Sequence, residues 1–82
     1  MLNVEQAKST LQKAFPDRVI HWAVEHEGYW YLCAIDPTDL DEGDLNPYFK
    51  VHASSGVISE FYVVNDIPLF QTIVAQARAS LA

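Results

Sequence analysis

The spacing of apolar residues predicts an α+β domain, with a four-stranded antiparallel sheet, one helix before it and one after (α-β-β-β-β-α), both helices packed on one face. Three observations carry this expectation. Each end of the chain repeats apolar residues at helical spacing. Between these ends lie β-prone runs punctuated by Gly, Pro, Asn, Asp and Ser. The helical segments stand outside the run of strands and do not alternate with it, which favours helices gathered on one side of an antiparallel sheet.

The first helix is expected from Val4 to Phe15, where Val4, Ala7, Leu11, Ala14 and Phe15 form one stripe. Asn3 is a good N-cap, and Gln6 three residues on completes the pattern of a capping box. Pro16 ends the helix, because its ring disfavours helical geometry in the residue before it. From Arg18 the pattern turns to strand: Val19, Ile20, Trp22, Ala23 and Val24 lead to Glu27-Gly28, a tight-turn dipeptide. Tyr29 to Ile35 (Tyr-Trp-Tyr-Leu-Cys-Ala-Ile) is the most β-prone stretch of the chain. Asp36-Pro37 breaks it, and a loop runs to Asp44. A third strand is expected over Tyr48 to Ala53 and a fourth from Val57 to about Val64. Ser54-Ser55-Gly56 joins them as an antiparallel hairpin. Asn65 or Asp66 can cap the last helix, and Pro68 falls in its first turn, where a missing N–H costs little. Phe70, Ile73, Val74, Ala77 and Leu81 make its apolar stripe.

Composition bounds the function. The 82 residues form one domain, 1–82, with no repeat and no linker; half are hydrophobic and 20% are charged, which is globular composition. Five Lys and Arg against eleven Asp and Glu give a net charge of −6, the wrong sign for a non-specific nucleic-acid binder. No apolar run reaches the ~18 residues of a membrane span, and Met1 leads into no signal-peptide pattern. The expected location is therefore the cytoplasm, with neither nucleic acid nor membrane as partner. One cysteine excludes an internal disulfide and a four-cysteine zinc site.

No motif for catalysis stands out, and the chain is expected not to be an enzyme. Cys33 sits inside an apolar strand, where a raised pKa and an inert thiol are expected. His21, His26 and His52 lack metal-ligand spacing, and a zinc site with Cys33 would need three strands to converge. Asp39 to Asp44 offers oxygen ligands, but a calcium loop of the helix-flanked kind needs Gly sixth and Glu twelfth; here Gly43 is fifth and Lys50 twelfth. No cofactor is expected.

Two features point to a partner. Seven of the eleven acids (Glu25, Glu27, Asp36, Asp39, Asp41, Glu42 and Asp44) lie between Arg18 and Lys50, an interval without Lys or Arg. Such a segment is either a solvated loop that only keeps a small domain soluble or the source of a negative potential that speeds association with a basic surface. The second strand is apolar on both sides, with Trp30, Leu32 and Ala34 on one and Tyr29, Tyr31, Cys33 and Ile35 on the other. With both helices on one face, the other face is either dressed by the acidic loop and the tyrosine rings, the strand being central, or left as an exposed aromatic patch for a partner or self-association. The candidate partner-binding residues are thus Asp36, Asp39, Asp41, Glu42 and Asp44 for encounter, with Tyr29, Tyr31 and Tyr48 for contact area. The partner is a basic protein or a second copy of the chain, the latter building a homodimer on the spare face.

The segment Asn46-Pro-Tyr-Phe-Lys-Val-His-Ala-Ser-Ser-Gly-Val-Ile-Ser-Glu-Phe61 resembles, through Pro47, Val51, Ser55, Gly56, Val57 and Phe61, the hairpin of PepSY-type domains and YrhB-like immunity proteins. The lead-in Asp41-Glu-Gly-Asp-Leu-Asn-Pro47 and the closing Asn65-Asp-Ile-Pro-Leu-Phe70 are similar to small prophage-encoded proteins. The resemblance implies an α+β domain whose helix precedes its strands, and a role as an immunity-type inhibitor or phage accessory protein.

Overall fold

A computed structural model describes residues 1–37 and 46–81; Asp39, Asp41, Glu42, Asp44 and the side chain of Leu81 lie outside the described set, as does the calcium-loop segment considered above. Helix α1 spans Val4–Ala14, strands β1 to β4 span Val19–His26, Tyr29–Ile35, Tyr48–His52 and Ile58–Glu60, and helix α2 spans Ile67–Leu81. The strands pair antiparallel in the order β1-β2-β3-β4, so the chain is an α+β fold with the element order its sequence predicts.

Local chemistry accounts for the boundaries. Asn3 Oδ1 accepts from Gln6 N–H at 2.8 Å while Gln6 Oε1 accepts from Asn3 N–H at 2.9 Å, completing the capping box. Glu27 (φ 49°) and Gly28 (φ 83°) both take positive φ, as a two-residue type I′ hairpin requires. Asp66 caps α2, its Oδ1 accepting from Leu69 N–H at 3.2 Å and its carbonyl from Phe70 N–H at 3.1 Å.

β4 is shorter than expected. The ladder ends at Glu60, with Phe61 N–H donating to Tyr48 O at 3.0 Å, and Val63–Asn65 turn as a 3-10 helix. Asn46 Nδ2 donates to Phe61 O at 2.9 Å, so a side chain satisfies the carbonyl where the chain leaves the sheet.

The helices lie on opposite faces, which corrects the expectation of a single covered face. Leu11 of α1 clusters with Leu32, Ala34, Phe49 and Val51. Ile73 and Ala77 of α2 cluster with Val24, Tyr31 and Phe61, the residues of alternate parity. The physical reason is the composition of β2. A strand apolar on both sides must be covered on both, and one helix per side gives three layers with β2 at the centre, Tyr31, Leu32, Cys33 and Ala34 all being buried.

β1 meets the same demand with a bulge. The register with β2 shifts between Ile20 and Trp22, leaving His21 as the extra, exposed residue. Ile20 and Ala23 can then face α1 while Trp22 and Val24 face α2. Without the bulge, Ile20 and Trp22 would share a face.

Candidate functional site

Two poles of the sheet must be distinguished. At one, the two-residue turn of β1–β2 lies beside the β3–β4 turn, where His26, Tyr29 and His52 stand in one cross-strand row. At the other, β2 ends and β3 begins, with the acidic segment between them.

The ends of that acidic segment are pinned. Ala34 N–H donates to Pro47 O at 2.7 Å, closing β2 onto the residue before β3. Arg18 Nη1 donates to Ala34 O at 3.1 Å and to Asn46 O at 2.9 Å. Its guanidinium lies 5.3 Å from the Phe15 ring centre and 4.9 Å from that of Phe49. The backbone that carries Arg18 is held in turn by Gln12 Nε2, which donates to Arg18 O at 2.8 Å. Asn46 Oδ1 accepts from Tyr48 N–H at 3.2 Å. Side chain-to-backbone bonds thus fix where the segment leaves and rejoins the sheet.

The acids and tyrosines singled out from sequence do not form one surface. Asp36 is half-buried at the end of β2, with Asp39, Asp41, Glu42 and Asp44 following it in the chain. Tyr29 sits at the opposite pole, six residues or about 20 Å along the strand from Ile35. Its ring meets His52 edge-on at 4.9 Å and the Lys50 ammonium at 5.0 Å. Tyr31 is 6% exposed, packed against Phe61 at 5.4 Å and covered by α2. Burial pushes its hydroxyl pKa up, with smaller contributions from Tyr29, Glu27 and Asp66. Tyr48 alone lies at the acidic pole, half-buried between Trp22 (6.1 Å) and Phe70 (4.9 Å). Burial raises its pKa too, helped by Cys33. The face of β2 expected to build a homodimer is therefore the face that α2 occupies.

Two exposed apolar side chains at this pole were not singled out from sequence. Tyr62, 48% exposed, follows Phe61, whose carbonyl is bound by Asn46. Its hydroxyl donates to Glu60 Oε2, and this bond raises its pKa. Val19, 49% exposed, opens β1 opposite Ile35. The available signal was the alternation of β4, which places Tyr62 on the same side as Glu60 and away from Phe61.

Cys33 is a free thiol, 6% exposed, and burial pushes its pKa up. Among the described residues no group of three His, Cys, Asp or Glu can hold a metal ion, and no helix is long and apolar enough to cross a membrane. No protein-family model, no curated protein and no solved structure matches the chain.

Proposed function

We propose that this chain is a non-catalytic protein-interaction module, of the immunity-type inhibitor or phage accessory kind, that covers a basic surface of its partner with the acidic pole of its sheet. The observation that supports this reading is the anchoring of the acidic segment. Arg18 and Asn46 hold both of its ends, so the segment that carries Asp36, Asp39, Asp41, Glu42 and Asp44 in sequence starts and ends at one pole of a fixed scaffold. Five of the chain's eleven acids fall within this one segment of the sequence, and such a run of negative charge raises the encounter rate with a cation-rich surface. Contact area beside the charges comes from Tyr62 and Val19, with Tyr48 partly open. Tyrosine suits such a place because its ring buries while its hydroxyl stays bonded.

The test is affinity capture with the tagged chain from lysate of its source, at low and moderate salt. It is run beside the Asp39→Asn, Asp41→Asn, Glu42→Gln triple variant. A basic protein captured by the wild type should associate more slowly with the triple variant and lose most of its salt dependence. Tyr62→Ala should instead speed dissociation. Capture that is indifferent both to salt and to the triple substitution would refute the reading.

A further inference from the structure

A cavity of about 410 Å³ opens between α2 and the sheet, lined by Trp22, Tyr48, Phe70, Val74, Ala77 and Arg78. We propose that it is a binding site for a small planar aromatic carboxylate. The cavity shares Tyr48 with the contact surface proposed above, but its other lining residues have no part in that reading.

The floor is the cross-strand row Trp22, Cys33 and Tyr48, with the two outer rings 6.1 Å apart above the buried thiol. Phe70, edge-on to Tyr48 at 4.9 Å, forms one wall, and Val74 and Ala77, one and two turns further along α2, continue it. The volume falls in the range of ~300–1,000 Å³ usual for small-molecule sites. Trp22, Tyr48 and Phe70 belong to the periphery of the α2-side core, yet all three remain only partly buried, as does Val74. Their uncovered surface faces the cavity, and a flat apolar ligand laid between the rings would remove it from water.

Polarity selects the other end of the ligand. Arg78 is the single charged group of the lining, and it is solvent-exposed, so it stands at the mouth. Among the described residues neither its guanidinium nor the Tyr48 hydroxyl has a hydrogen-bond or ion-pair partner. A guanidinium fork and a phenolic O–H are both donors suited to a carboxylate. A phenol is protonated, and so able to donate, through neutral pH, and burial pushes the Tyr48 hydroxyl pKa further up. In a chain of net charge −6 an anion finds few favourable positions, which makes a cation at the mouth of an aromatic slot a selective feature.

The two tryptophans give an internal control. Trp22 lies in the cavity, while Trp30 lies on the α1 face with its indole N–H donated to Leu2 O at 3.0 Å. Two-dimensional ¹H–¹⁵N spectra of the full chain should be recorded during titration with 2-naphthoate and, separately, with the cation 2-naphthylmethylamine. The proposal expects a saturable shift of the Trp22 indole resonance with naphthoate, little movement of Trp30, and much weaker binding of the amine. Arg78→Gln, at an exposed helix position that the fold does not use, should weaken naphthoate about tenfold. Ala77→Leu should fill the cavity and abolish the shift. No saturable change at Trp22 at millimolar naphthoate would overturn the proposal. So would equal binding of acid and amine, or unchanged affinity in Arg78→Gln.

Discussion

Replacing Arg18 tests whether the acidic pole is organised as described. Arg18 makes two charge-assisted bonds to main-chain carbonyls, at 3.1 and 2.9 Å, and lies over two aromatic rings at 5.3 and 4.9 Å. A hydrogen bond to a charged group is worth ~1.5–3 kcal/mol when protected, and a cation–π contact ~0.5–1 kcal/mol when partly wet. Arg18 is half-buried and all four contacts share one guanidinium, so the lower ends apply and add only in part, to less than their sum of about 4 kcal/mol. Arg18→Met, which keeps the aliphatic stem on Phe15 and Phe49, should cost about 2–3 kcal/mol. Arg18→Lys retains a cation and donors but not the planar guanidinium that lies against Phe15 and Phe49 while Nη1 reaches both carbonyls, and should cost about half as much. Urea unfolding followed by tryptophan fluorescence measures this directly. With a slope of roughly 1 kcal/mol per molar for a chain this short, the midpoint should fall by about 2–3 M in Arg18→Met. Hydrogen exchange should localise the effect, because the Ala34 amide donated to Pro47 O closes the same corner. Lys13→Met, at an exposed position near the end of α1, is the control and should change stability by less than about 0.5 kcal/mol. An Arg18→Met variant as stable as that control would refute the reasoning.

Two further outcomes follow from local geometry. Glu27 occupies the left-handed region in the β1–β2 turn, where Asn is better tolerated. Glu27→Asn should therefore stabilise by about 0.5–1 kcal/mol, a rise in Tm of roughly 2–8 °C by calorimetry, and an unchanged or lowered Tm would show that the turn carries no strain. Burial raises the pKa values of Cys33, Tyr31 and Tyr48 in the folded chain. The unfolded chain thus releases these protons first, and stability is full below the ordinary thiol pKa and falls as pH rises past it. Unfolding midpoints should drop from about pH 8.5 upward. Cys33→Ala should flatten the first part of that fall, and an identical pH profile in this variant would refute the assignment.

Most of the fold was legible because its signals are local. The Asn3/Gln6 box, the Glu27-Gly28 turn, the Pro16 stop and the Asp66 cap each act within a few residues of where they stand in sequence. The side of the sheet taken by each helix is a tertiary choice, and its signal lay in β2. A strand written Tyr-Trp-Tyr-Leu-Cys-Ala-Ile, apolar at every position, needs cover on two sides, and the chain has two amphipathic helices to supply it. Reading the second side as spare surface led to Tyr31 as a contact residue, and Tyr31 is core. The bulge at His21 was equally concealed, because Ile20 and Trp22 on one strand imply a shared face until the register shifts. Of the candidate site, the charge was plain from composition, whereas its anchors were not. Arg18 and Asn46 are 28 residues apart and meet only through the sheet.

The double-sided character of β2 also bears on how the chain finds a single pairing. In a sheet with one wet face, sliding a strand by one residue drives polar groups into the core and is rejected on that ground. Here such a slide would exchange Trp30, Leu32 and Ala34 for Tyr29, Tyr31 and Cys33 beneath α1, one greasy set for another. Discrimination then falls to features that count residues, namely the two-residue turn at Glu27-Gly28, the extra residue at His21, the Trp30 indole on Leu2 O and the Arg18 Nη1 bond to Ala34 O. In this small protein, uniqueness of the alignment therefore leans on a few directional bonds and one two-residue turn at the strand ends.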